Sequence, residues 1–204
     1  MSEALVYVVD DEEAICDSVG LLLKSVRIAC RSYSDPGEFL AQWRAGWRGC
    51  LLLDVRMPRM SGMEVHRVLK ERGNRLPVIF MTGHGDVPMA VEAMRAGALD
   101  FLQKPFKDDE LISRVQRALA QDAEQAASAQ QHSDVERRYA SLTPREREIA
   151  RCLVDGASNK VIAIDLGLSE RTVELHRAHI MQKMNVRSLA QLVQLLISVQ
   201  PDAE

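Results

Sequence analysis

Short apolar runs at residues 5–9, 49–53, 78–81 and 99–102 each stop against a residue with chemistry of its own: Asp10 and Asp11, Asp54, Thr82 and Lys104. A fifth run, 28–33, lies between the first two, and segments of helical period separate them all. Apolar runs of about four to eight residues alternating with helical segments predict βα units wound into a parallel sheet covered on both faces. Sites in such sheets form beyond the carboxyl ends of the strands. Five residues far apart in the chain are therefore expected at one edge of one sheet.

Three carboxylates, a hydroxyl and an ammonium have a narrow joint chemistry. Carboxylate oxygens with no Cys or His partner favour a hard octahedral ion such as Mg²⁺, which keeps waters and bridges readily to a phosphoryl group. The ion offsets repulsion among the acids. A carboxylate can also attack a phosphoryl group and form an acyl phosphate, while the metal, a lysine and a hydroxyl balance charge on the transferring oxygens. The set suits phosphoryl transfer onto an aspartate. Each member alone has a plainer reading: Asp10 and Asp11 as helix caps, Lys104 before Pro105 as a loop lysine, Thr82 as a strand end. The ordered set carries the inference.

The stretch Asp54-Val55-Arg56-Met57-Pro58-Arg59-Met60-Ser61-Gly62, with Asp10-Asp11 before it and Thr82 and Lys104-Pro105 after it, resembles the receiver domain of two-component response regulators. The resemblance implies a flavodoxin-like, doubly wound α/β fold with a five-stranded parallel sheet. It makes Asp54 the phosphoacceptor, and it assigns Asp10, Asp11, Asp54 and the backbone carbonyl of Arg56 to Mg²⁺. Thr82 and Lys104 then bind the phosphoryl oxygens, Phe101 is the aromatic switch that turns inward as Thr82 moves, and the face bearing Val91, Arg95 and Phe101 pairs with a second copy. Arg56 and His84, two residues beyond Asp54 and Thr82, are expected from position alone to tune phosphoryl lifetime. Hydrolases that pass through an aspartyl phosphate resemble Asp-x-Asp; Arg56 occupies the second acid's place, so the chain is not expected to be an enzyme.

At 204 residues the chain accommodates two small domains. Its composition, 47% apolar and 27% charged, is that of globular proteins. A net charge of −3 requires any nucleic-acid contact to come from a local patch. Cys16, Cys30, Cys50 and Cys152 show no metal or redox spacing and read as buried hydrophobes in a reducing compartment. Neither a signal peptide nor a membrane span fits the first residues, so a cytoplasmic protein is expected. The expected division is a receiver over 1–120, a linker over 121–140, rich in Ala, Gln and Glu and helical in character, and a third segment over 141–204.

That third segment opens on Thr143-Pro144-Arg145-Glu146, a capping box with Pro at the first helical position, predicting a helix to about Asp155. Ser158 caps a second helix over 159–166 that stops near Gly167; Ser169 caps a third over about 170–184; a fourth follows over 188–199. A short helix, a tight turn and a longer helix predict an all-α, four-helix helix-turn-helix domain whose third helix can enter the major groove. At about 100° per residue, Val173, Ile180 and Met184 face the core, with His176 at the edge. Arg171, Glu174, Leu175, Ala178 and Gln182 face outward. Glu174 can accept from cytosine N4, Arg171 or Gln182 can reach purine edges, and Leu175 or Ala178 can meet a thymine methyl. Asn159, Lys160, Thr172, Arg177, Lys183 and Arg187 sit at helix ends or flanks, where phosphate contacts position without specifying. Residues 139–204 carry eight Lys or Arg and eight Asp or Glu, so the polarity is local.

Residues 142–199 resemble the LuxR type of DNA-binding domain, and the chain is similar as a whole to response regulators of the FixJ and NarL kind. Glu174 stands where relatives often carry Lys. The resemblance implies a transcription factor phosphorylated by a sensor histidine kinase, dimerising and binding double-stranded promoter DNA, with RNA polymerase as a further partner and no membrane partner. The alternative is a phosphate-accepting interaction module whose carboxyl-terminal helices dock to protein instead of DNA.

Overall fold

The computed structural model describes residues 4–83 and 87–199. They form β1 (Leu5–Val9), α1 (Glu13–Ser25), β2 (Cys30–Tyr33), α2 (Pro36–Gln42), β3 (Gly49–Asp54), α3 (Gly62–Glu71), β4 (Val78–Thr82), α4 (Val87–Arg95), β5 (Asp100–Gln103), α5 (Asp108–Ala140), α6 (Pro144–Val154), α7 (Asn159–Leu166), α8 (Glu170–Met184) and α9 (Leu189–Val199). The chain divides into two compact units, Met1–Gln125 and Ala126–Glu204.

In the first unit all strand pairs are parallel, as the apolar runs predict, and the order is β2-β1-β3-β4-β5, the flavodoxin-like winding that the receiver resemblance implies. Alternate strand residues feed opposite cores. Tyr7, Val9, Leu51, Leu53 and Phe80 pack with Phe39, Val65, Leu69 and Ala93 from α2, α3 and α4. Val6, Val8, Leu52, Ile79 and Met81 pack with Cys16, Val19, Leu23, Leu111 and Val115 from α1 and α5. Both faces being covered is why these strands read as unbroken apolar runs.

Strand ends differ from the predicted runs by one or two residues. β2 starts at Cys30 because Arg27, with φ 61°, and Ile28, whose N–H donates to the Leu23 carbonyl at 2.9 Å, are used in leaving α1. β3 and β4 each extend one residue further than predicted, so Asp54 and Thr82 are themselves the last ladder positions. Asp122 of α5, 4% exposed, holds the entry to β3: its Oδ2 accepts from Gly49 N at 3.0 Å and Arg48 Nε at 2.8 Å. Trp47 stacks on Tyr7, ring centroids 4.4 Å apart, and Trp43 is buried in the same core. All four cysteines are free thiols, and burial pushes that of Cys50 up to about 12, leaving it protonated.

The second unit follows its capping signals. Thr143 and Glu146 form both bonds of the capping box on α6. Ser158 accepts from Val161 N at the start of α7, and Ser169 from Thr172 N at the start of α8. Gly167 adopts φ 64°, a left-handed turn that costs glycine little, and so ends α7 and redirects the chain into α8. Val173, Ile180 and Met184 are fully buried against Ile149, Leu153, Ile162, Leu192 and Leu196. Each such side chain stabilises the unit by about 1.5–3 kcal/mol relative to exposure.

Candidate functional site

Because β2 lies on one side of β1 and β3 on the other, the winding reverses between β1 and β3, and a crevice opens beyond their carboxyl ends. Asp10 leaves β1 and Asp54 ends β3, so both carboxylates stand at that crevice. Asp10 is fully buried and Asp54 4% exposed. Lys104, directly after β5, reaches across: its Nζ lies 2.6 Å from Asp10 Oδ2, 2.8 Å from Asp54 Oδ1 and 3.7 Å from Glu12 Oε1. Its backbone N–H donates to the Thr82 carbonyl at 2.6 Å, which fastens the end of β5 to the end of β4. Thr82 is buried at that strand end.

Burial raises the pKa of Asp10, and the hydrogen bonds from Lys104 and Glu12 N–H only partly counter it. Burial also works against the charge on Lys104, but its bonds to Asp10 and Asp54 prevail and hold its pKa above the ordinary lysine value. One ammonium thus faces two buried carboxylates, with exposed Asp11 and Glu12 at the rim. The donors are all oxygens and the acids outnumber the cation. Among the described residues no three acidic, His or Cys side chains converge as a ready-made metal cage. The donor chemistry fits a hard cation that keeps waters.

The loop after Asp54 is held by main-chain bonds. Arg56 N–H donates to Asp54 Oδ2 at 2.6 Å, orienting the carboxylate, while the Arg56 side chain is exposed. Gly62 N–H donates to the Val55 carbonyl at 3.0 Å, and Ser61 and Glu64 close a capping box on α3. A Cβ on Gly62 would stand 2.1 Å from the Asp54 carbonyl oxygen. The obstacle is backbone, which cannot rotate aside. Gly62→Ala is expected to cost about 2–3 kcal/mol, measured by urea denaturation; a variant as stable as wild type would show that α3 slides away freely.

Asp10 is not a cap, because α1 has Glu12 at its N-cap position with no side-chain cap. Phe101 is half-buried against the aromatic core. Val91 and Arg95 are both exposed on α4, and Met94, 49% exposed beside Val91 at 44%, adds apolar surface that the sequence reading did not single out. His84 lies outside the described residues.

In the second unit α8 presents Arg171, Glu174, Leu175, Ala178 and Gln182 to solvent, with Leu175 57% exposed. Lys160 and Arg187 are exposed and Thr172 half-buried. Three of the expected phosphate contacts are engaged inside the unit: Arg177 donates to Asn159 Oδ1, and Lys183 donates to Glu146 Oε2 at 2.6 Å. Glu146 was legible as a capping residue, but nothing in its spacing from Lys183 marks the pair.

A doubly wound signal-receiving unit and a helix-turn-helix on one chain define a class: transcriptional regulators governed by an amino-terminal input domain. Residues 6–116 match the response regulator receiver domain, and residues 140–196 match the family described as bacterial regulatory proteins, luxR family. The chain is 47% identical over 198 residues to the transcriptional regulatory protein FixJ of Azorhizobium caulinodans, covering 97% of this chain and 94% of that protein. It is 41% identical to the response regulator protein TodT of Pseudomonas putida, over 93% of this chain and 84% of that one. The solved structure of the response regulator StyR superposes with a TM-score of 0.87 at 40% identity, covering 96% and 98% of the two chains. The chain belongs to the two-component transcriptional response regulators that join a receiver to a LuxR-type DNA-binding domain.

Proposed function

We propose that Asp54 accepts a phosphoryl group from a phosphohistidine of a sensor histidine kinase, and that this modification promotes dimerisation and sequence-specific DNA binding through α8. The observation that carries the reading is the Asp54 carboxylate at the end of β3 with Lys104 Nζ 2.8 Å away. One carboxylate oxygen of Asp54 attacks phosphorus, the phosphorus–nitrogen bond of the donor breaks, and an acyl phosphate forms as the imidazole leaves. Lys104 and Thr82 then bind the new phosphoryl oxygens. Asp10, Asp11, Asp54 and the carbonyl of Arg56 would hold Mg²⁺, which supplies positive charge to the transferring group. With Arg56 where a general acid would have to stand, hydrolysis of phospho-Asp54 is slow, and Arg56 and His84 set its rate.

Phosphorylation adds roughly −1.5 to −2 charges. Lys104 and Thr82 follow that charge, Phe101 turns inward, and the α4–β5 face carrying Val91, Arg95 and Phe101 is completed for pairing; exposed Met94 enlarges its apolar part. Two helix-turn-helix units then meet half-sites roughly 34–36 Å apart. Arg171, Glu174, Leu175, Ala178 and Gln182 read bases, while Asn159, Lys160, Thr172, Arg177 and Arg187 approach phosphates. The receiver occupies 1–120, the linker 121–140 and the DNA-binding domain 141–204. The protein works in the cytoplasm with RNA polymerase as a partner and does not turn over a substrate. Among the described residues no helix is long and apolar enough to cross a membrane.

Incubation of the full-length protein with acetyl phosphate and magnesium tests the proposal. The expected result is an acid-labile phosphate on Asp54, a dimer mass at micromolar concentration, and a stronger gel shift of duplex selected from a random pool. A monomer mass for fully phosphorylated protein would rule out the dimerisation step.

A further inference from the structure

The first turn of α6 touches the far ends of both helices of the helix-turn-helix. Arg145 donates to the carbonyl of Leu166, the last residue of α7, just before the Gly167 turn. Its neighbour Glu146 reaches α8: Oε2 accepts from Lys183 Nζ at 2.6 Å and from Thr143 N at 2.7 Å, with the Glu146 side chain 4% exposed and that of Lys183 37% exposed. From α5, Arg138 donates to the carbonyl of Met184, the final residue of α8, at 3.3 Å. The carboxyl-terminal turn of α8 is therefore anchored at a buried carboxylate, and that carboxylate is itself fixed by a helix cap. Although burial opposes its charge, the bonds from Lys183 and Thr143 keep the Glu146 carboxyl below the usual glutamate range.

A lysine committed to a buried carboxylate is a poor phosphate ligand, because leaving Glu146 strands a desolvated charge. We propose that Lys183 serves DNA recognition as a positioning residue acting through Glu146, setting the pitch of α8, and does not itself bind DNA phosphate. The inference rests on the reading of α8 as the groove helix. At 1.5 Å per residue, Gln182 sits roughly 16 Å along the axis from Arg171, so freeing the carboxyl-terminal turn displaces Gln182 and Ala178 most. Base discrimination depends on such placement. Non-specific attraction to phosphates does not.

The experiment uses full-length protein phosphorylated with acetyl phosphate and magnesium, a duplex selected from a random pool by the wild type, and a scrambled duplex, across a salt series. Glu146→Gln keeps an acceptor for Thr143 N–H, as capping boxes allow, while removing the charge that holds Lys183. Binding is measured where circular dichroism shows wild-type helicity for every variant. Glu146→Gln and Lys183→Gln are each expected to weaken the selected duplex about tenfold and to leave the scrambled duplex and the salt slope unchanged. The double variant should be no weaker than either single one, and Lys183→Arg should retain wild-type binding. The proposal is overturned if Lys183→Gln weakens both duplexes alike and flattens the slope by about 0.9, the signature of one lost phosphate contact. It is equally overturned if Glu146→Gln lowers only the melting temperature and leaves the selected-to-scrambled ratio intact. Arg171→Ala is the control: if it fails to weaken the selected duplex, the groove reading of α8 falls and the positioning role with it. If Arg171→Ala weakens binding while Glu146→Gln does not, the positioning role alone fails.

Discussion

Asp54→Asn protein, given acetyl phosphate and magnesium, is expected to gain no acid-labile phosphate, to keep a monomer mass and to bind DNA no better than untreated wild type. Asparagine preserves the shape of the side chain and an acceptor oxygen for Arg56 N–H, which lies 2.6 Å from Asp54 Oδ2 in the native chain. What it lacks is the anionic oxygen that attacks phosphorus in the proposed function. Lys104 keeps its 2.6 Å bond to Asp10, so the fold has no reason to fail. A receiver coupled to its DNA-binding unit by the usual ~1–3 kcal/mol yields a gain of roughly 5–150-fold in DNA affinity on phosphorylation, and the substitution should erase all of it. Mass spectrometry, light scattering and gel shift read the three effects separately. Phosphate still incorporated at wild-type rate would move the acceptor to another side chain.

Lys104→Met is the second large effect, and it acts on the fold itself. Removing one partner of a buried charge pair costs about 3–5 kcal/mol because the other is left desolvated and uncompensated, a large share of a typical total of about 5–15 kcal/mol. Here two carboxylates lose the same cation. The pH dependence has a definite sign. The pKa of Lys104 is raised above 10.5, so its stabilisation is complete below that value and lost only as pH climbs through the still higher folded one. The pKa of Asp10 is raised above 3.8, so ionised Asp10 is a cost that grows as pH rises through its folded value. The deficit of Lys104→Met should therefore be largest near neutrality and shrink in acid, where Asp10 accepts a proton. Magnesium should recover part of it, since an ion that binds only the folded state stabilises that state by mass action. Urea denaturation at neutral and acidic pH, with and without magnesium, checks both. A deficit independent of pH and magnesium would mean that Lys104 does not compensate the acids.

The polar edge was legible because strand periodicity and strand order place the ends of β1, β3, β4 and β5 together whatever the side chains do. The helices of the second unit were legible because a capping box is a local signal: Thr143 and Glu146 find each other within one turn. Long-range partners leave no such mark. The bond from Asp122 to Gly49 spans 73 positions and that from Lys183 to Glu146 spans 37, and no spacing announces either. Gly62 closes the stretch that resembles a receiver, but its position gives no physical reason for glycine; the approach of the Asp54 carbonyl oxygen reveals why a side chain is excluded. Lys183 falls in sequence among the residues at helix ends or flanks, and nothing there tells that a buried acid has already claimed it.

The chain has two tryptophans, Trp43 and Trp47, and both belong to the first compact unit, in and against its aromatic core. Tryptophan emission, excited at wavelengths where tyrosine does not absorb, is consequently a spectroscopic gauge of that unit alone, silent about the helices beyond it, whereas far-ultraviolet dichroism sums over both. Melting curves from the two signals form a built-in test of cooperativity, available without attaching a dye.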